Sequence, residues 1–168
     1  MAKEHKNSTK LDIEEERTGT PSETIDGIIK AFYDAVSFTS GKQPDYKQLR
    51  NLFHPQGQMV PPRKDKESSI DVLLLDEYIK QSVEHIVLAG IERKGMITTE
   101  IARRTQAFGS IVHILSTFEV RYAVGDSAPI HRGIYSIQLF RDRHRWWIHS
   151  VMWDHERPGT PLPRAFLV

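Results

Sequence analysis

Ser110-Ile111-Val112-His113-Ile114-Leu115-Ser116-Thr117-Phe118-Glu119-Val120-Arg121-Tyr122-Ala123 is the stretch on which the fold turns. Its density of β-branched and aromatic residues suits a pleated, half-buried strand. Three more segments share that character: Met96 to Ala107 before it, then His131 to Phe140 and Arg145 to Asp154 after it. Between them lie the turn-like Phe108-Gly109, Gly125-Asp126-Ser127 and Arg141-Asp142-Arg143. Connectors this short pair successive strands antiparallel.

Upstream the periodicity is helical. Thr20-Pro21-Ser22-Glu23 has the form of a capping box with proline at the first helical position. Ile25, Ile28, Ile29, Phe32 and Val36 follow at helical spacing, and Gly41 is expected to end that helix. A short second helix fits Asp45 to Phe53. His54-Pro55-Gln56-Gly57 breaks it, leaving Gln58-Met59-Val60 as at most a short strand before Pro61-Pro62. Arg63 to Ser69 reads as an exposed loop. Leu75, Ile79, Val83 and Ile86 then give a third helix, closed by Gly90. The expected architecture is α+β: three N-terminal helices packed on a strongly curved antiparallel sheet. Residues 1–19 are expected to be a charged tail too poor in apolar side chains to offset its ordering entropy, and 20–168 a single domain. Arg157-Pro158-Gly159-Thr160-Pro161-Leu162-Pro163 reads as an extended, proline-rich ending.

Composition narrows the function classes. The chain has 168 residues, with 23 Lys plus Arg against 22 Asp plus Glu, a formal charge of +1. Near-neutrality argues against a nucleic-acid partner, whose footprint is strongly basic. No apolar run approaches the roughly 18 residues of a membrane span, and no secretory leader is visible, so a cytoplasmic protein without a membrane partner is expected. With no cysteine there is no disulfide, thiolate nucleophile or Cys-ligated metal. No histidine pair has metal-ligand spacing, and neither a phosphate-binding glycine loop nor a nucleophile elbow occurs. Neither metal nor cofactor is expected.

Alternation sorts the last strand into two faces. Trp146, Ile148, Ser150, Met152 and Asp154 share one; Trp147, His149, Val151 and Trp153 share the other. Both are apolar, so both need cover. One is expected under the helices. The other, carrying Trp147 and Trp153, is expected to meet a second copy in a homodimer, unless the C-terminal tail with Leu162, Phe166 and Leu167 folds over it.

Helices followed by a bent antiparallel sheet, with the phrases Phe108 to Glu119, Arg132-Gly133-Ile134-Tyr135-Ser136-Ile137-Gln138-Leu139-Phe140 and Arg145-Trp146-Trp147-Ile148, resemble the nuclear transport factor 2-like superfamily. This cone-shaped fold is shared with ketosteroid isomerase and scytalone dehydratase. The resemblance covers about Thr20 to Leu167 and implies an apolar pocket between the helices and the concave sheet face. It also implies dimers through sheet faces. It says little of function, because one scaffold hosts isomerases, dehydratases and binders.

The isomerase chemistry of that superfamily needs a carboxylate on the short strand after the second helix. Gln58-Met59-Val60-Pro61-Pro62 stands there instead. Tyr33 matches a tyrosine donor of the first helix. His113 with Glu119 or Asp154 could form an acid–base pair if their faces coincide, the carboxylate holding the imidazole's tautomer. These three are the candidate catalytic residues. Tyr33, His54, Tyr135, Trp146, Ser150 and Met152 are the candidate ligand contacts. The expected function is a pocket binding an apolar small molecule, with a lyase or isomerase acting on an apolar carbonyl compound as its catalytic form. A non-catalytic dimeric interaction module is the alternative, and enzymatic activity is left open.

Overall fold

The computed structural model describes residues 20–125 and 128–168. The tail expected over residues 1–19, and the Asp126-Ser127 part of one turn, lie outside the described residues.

Thr20 does not cap the first helix. Its hydroxyl donates to Glu23 Oε1 at 3.4 Å over a 3-10 turn, Pro21–Glu23, and Thr24 becomes the cap by accepting the Gly27 amide at 2.9 Å. Helix α1 spans Ile25–Val36 and buries Ile28, Ile29 and Phe32 completely. It ends well before Gly41 because tertiary pairing takes over. Phe38 and Met96 exchange backbone hydrogen bonds at 2.8 Å, drawing the chain onto the sheet. Asp45 caps α2, Tyr46–Leu52, through the Gln48 amide at 2.9 Å. Strand β1, Phe53–Val60, begins directly at the helix end and is longer than the sequence suggested. Pro55 is accommodated because pairing with the neighbouring strand is irregular between Phe53 and Gln58. A two-residue strand β2, Leu73–Leu74, precedes α3, Leu75–Leu88, whose first turn is tied by Glu77 accepting the Leu74 amide at 3.1 Å.

Strands β3 (Met96–Phe108), β4 (Ile111–Tyr122), β5 (His131–Asp142) and β6 (Arg145–His155) form the expected antiparallel meander. The six-stranded sheet runs β2-β1-β6-β5-β4-β3, and β1 joins β6 parallel, so the sheet is mixed. Its inner face presents Val112, Ile114, Phe118, Tyr135, Ile137, Leu139 and Ile148 to α1 and α2. Each such side chain contributes on the order of 1.5–3 kcal/mol on burial.

Strict alternation fails on β6. Leu139 pairs with Ile148 but Gln138 pairs with Ser150, so His149 is an extra residue in a β-bulge. Trp146 and Ile148 point inward before it; Val151 and Trp153 point inward after it. Trp147, Ser150, Met152 and Asp154 face outward with Phe140, Gln138, Ser136 and Ile134, their partners across the ladder. The two-face assignment made from parity is therefore corrected: Trp147 and Trp153 lie on opposite faces and cannot share one interface.

The outer face has cover from its own chain. The Arg145 guanidinium lies 3.5 Å from the Trp147 ring centre, and His54 packs edge-on at 5.8 Å. The C-terminal segment returns across β3 and β4. There the Thr117 hydroxyl donates to the Phe166 carbonyl at 2.6 Å, and Arg104 lies over the Phe166 ring.

Candidate functional site

Space between α1 and the sheet is occupied by aromatic rings. Tyr135 stands 5.3 Å from Phe32, 5.9 Å from Tyr33 and 4.2 Å from Phe118, centre to centre. Tyr33 and the polar side chains next to it are spoken for. Ser116 Oγ donates to Glu100 at 2.5 Å, so its contact of 2.7 Å with Tyr33 must be one in which the phenol donates. A phenol has a single proton, and Tyr33 spends it inside the protein. Glu100 also accepts two hydrogen bonds from Arg103, which reaches Asp26 on the surface. Burial pushes the Tyr33 and Tyr135 phenols well above their ordinary range, so both stay protonated. Tyr33, Ser116 and Glu100 thus satisfy one another within the core.

Open space lies at the end of β6. Pro61 and Pro62 have no amide hydrogen to extend the ladder, so β1 stops at Val60, opposite Met152. Trp153, Asp154 and His155 run on past it. A groove of about 880 Å³ occupies that gap, lined by Ile134, Met152 and Trp153 and by the exposed Arg63, Lys64 and Lys66. It adjoins a second hollow of about 500 Å³ toward α3, reaching Tyr78, Ser82 and His85; Pro61, Pro62, Lys64, Trp153 and His155 line both. The Tyr78 and Trp153 rings meet edge to face at 5.9 Å. Burial, with Tyr46 second, raises the Tyr78 phenol to about 12.

Two titratable neighbours on this strand have opposite fates. Partial burial works to raise the Asp154 carboxyl, but hydrogen bonds from Arg157 at 2.7 Å and from the His155 amide at 2.8 Å outweigh it, and the net shift is down. Asp154 is ionised and engaged. For His155, burial first and the nearby His131 second lower the imidazole below its ordinary value, against the pull of Asp154. The two imidazole rings stand 4.9 Å apart. His155 Nδ1 is buried with no hydrogen-bond partner, the one such side-chain atom among the described residues. A neutral imidazole can accept or donate a proton, but this nitrogen is closed to solvent against Phe118 and His131. No cluster of three or more metal-ligating side chains occurs among the described residues.

No protein-family model matches the sequence, and no curated protein matches it. Solved structures do. A "putative dehydratase from the NTF2-like family" of Streptomyces avermitilis aligns with TM-score 0.56 at 14% identity, over 77% of this chain and 91% of its own. The fold is nuclear transport factor 2-like. A "putative ketosteroid isomerase" of Shewanella frigidimarina aligns at 0.52 and 18% identity, over 77% and 93%. A protein of unknown function with a cystatin-like fold from Nostoc punctiforme aligns at 0.53 and 13%, over 71% and 81%. At such identities the likeness is one of fold.

Within this fold, the register separates the expected catalytic residues. His113 and Glu119 sit six positions apart on one strand, about 20 Å. Glu119 pairs with Arg121 at 2.9 Å, while His113 contacts Ser136 Oγ at 3.1 Å. Asp154 lies opposite Ile134, which lies opposite Thr117, four positions along from His113. None of the three meets another, so the acid–base pair is corrected to three separate outer-face positions. Tyr33, Tyr135 and Trp146 are buried on the inner side, and Ser150 is buried on the outer. His54 packs on Phe140 and accepts the Gln56 amide. Of the expected residues only Met152 and Asp154 line the groove, with His113 one hydrogen bond behind it through Ser136. Trp153, His155 and Tyr78 were missed as site residues, and the Arg63 to Lys66 segment was read as a plain loop. The available signal was Pro61-Pro62, which must stop strand pairing wherever it follows a strand.

Proposed function

We propose that the protein binds a small, largely apolar molecule in the crevice beyond the end of β1, against the outward-facing Ile134 and Met152, with His155 among its lining residues. The observation carrying this reading is the groove itself, an apolar surface left open where Pro61-Pro62 ends β1. The catalytic form of the reading is a lyase or isomerase on an apolar carbonyl compound, with neutral His155 removing a proton next to the carbonyl.

A thermal-shift screen against ketones, enones and aromatic acids tests it. A ligand that binds only the native state raises the melting temperature, by roughly 2.7 kcal/mol of stabilisation at a hundredfold excess over Kd. We expect a hit to be lost in Met152→Arg, which fills the groove floor, and kept in His113→Ala. A hit indifferent to Met152→Arg would remove the crevice from consideration. Turnover lost in His155→Asn with binding retained would support the catalytic form.

A homodimer through the outer sheet face is the second reading, favoured by the exposed Phe108 and Ile111 at the tip of the β3–β4 hairpin and the exposed Met152. Sedimentation of the full chain decides it, since a species of monomer mass at all concentrations would end that reading.

A further inference from the structure

Charge is distributed unevenly around the crevice, and the imbalance bears on what the ligand must be. The larger groove is lined by four cationic side chains, Arg63, Lys64, Lys66 and Arg157, and two carboxylates, Asp65 and Asp154. One of each is already matched, since Arg157 pairs with Asp154 at 2.7 Å. Asp65 Oδ1 accepts the Glu67 and Ser68 amides at 2.8 Å each and its charge also acts on Lys64, so the remaining lining holds three cations against one carboxylate. Arg63, Lys64 and Lys66 form no ion pair among the described residues. The chain as a whole carries only +1, so this surplus is local and does not reflect a basic protein. The hollow toward α3 has the opposite balance, with Asp71 and Glu84 against Lys64. An anion is therefore favoured at the 63–66 rim and disfavoured at the α3 end.

The same groove is lined by the outward-facing apolar Ile134 and Met152, with Ile70, Pro61 and Pro62. We infer that the ligand of this crevice is an amphipathic carboxylic acid, its hydrocarbon or aromatic body on Ile134 and Met152 and its carboxylate among Arg63, Lys64 and Lys66. The inference rests on the crevice being the binding site and adds the ligand's head group and direction. Three exposed cations around one carboxylate act through screened, individually small contacts, and together they favour the acid over its neutral isostere by about tenfold.

The test uses matched probes on the full chain: dodecanoic acid against dodecanamide, and naphthoic acid against naphthamide, titrated calorimetrically at low and high salt. The acid of at least one pair is expected to bind about tenfold tighter than its amide at low salt, with the gap narrowing as salt rises. Exchanging Arg63, Lys64 and Lys66 together for Gln should close that gap by weakening the acid, with the melting temperature unchanged because all three side chains are exposed. Equal binding of acid and amide would overturn the head-group inference and leave the crevice reading standing. No binding of any probe, with Met152→Arg also silent, would overturn both. Displacement of the acid by inorganic phosphate at comparable concentration would reassign the rim to a phosphate group and overturn the carboxylate.

Discussion

His155 is the residue whose environment departs furthest from what its position near a strand end suggests. Its ring faces His131, Phe118 and the backbone of its own strand, with Asp154 and Arg157 as the charged neighbours. Because folding lowers its pKa, the unfolded chain binds its proton first as pH falls. Stability is then full above the unfolded value of about 6.5 and is lost as pH drops from there through the lower folded value. Asp154 and Glu156, whose carboxyls are also shifted down, act only below the ordinary carboxylate range. The window between pH 7 and 5 therefore isolates the imidazoles. Melting curves should show stability falling across it, and His155→Asn should flatten most of that slope. An unchanged slope in the variant would remove His155 as its source.

At the scale of the element, one added residue decides which side chains belong to the core. Deleting His149 would restore strict alternation to β6, forcing out either Trp146 with Ile148 or Val151 with Trp153. Ile148 and Val151 are fully buried, so either choice forfeits several kcal/mol of apolar burial, a large share of what a domain of this size has. Replacing His149 by Ala keeps the bulge, and because the side chain is exposed the cost should stay near 0.5 kcal/mol. Denaturant unfolding of the two variants separates register from side chain. The same residue shows where the sequence stops being legible. The strands of the meander were readable to within a residue or two, because β-branched runs and glycine turns are local signals. A bulge has no local signature on His149, and the reading of Trp147, Trp153, Ser150, Met152 and Asp154 all hung on a period it breaks. The end of α1 was obscured in the same way: Phe38 is drawn off the helix by Met96, a partner far away in sequence.

For the whole molecule, the helices-then-sheet order was legible because each element's periodicity is self-contained, whereas the filling of the cone was not. Tyr33 looked like a donor facing a pocket; only the placement of Ser116 and Glu100 opposite it shows its proton already committed. Closure of the outer face depends likewise on a distant segment. Leu162 donates its amide to Glu156, itself held by Arg132, and this steers the chain toward Phe166 and the buried Thr117 hydroxyl. Thr117 is 1% exposed beneath that segment, so removing the segment exchanges its hydrogen bond to Phe166 for one to water. Truncation after Pro161 should then cost about 0.5–1.5 kcal/mol from the hydrogen bond alone. It should also uncover apolar surface that the Phe166 ring now occupies. Denaturant unfolding measures the first effect and sedimentation over a range of concentrations the second. If the truncated chain is as stable as the full one, the C-terminal segment is only laid on the sheet. If it loses stability and self-associates where the full chain does not, the segment acts as an intramolecular stand-in for a second copy on that face.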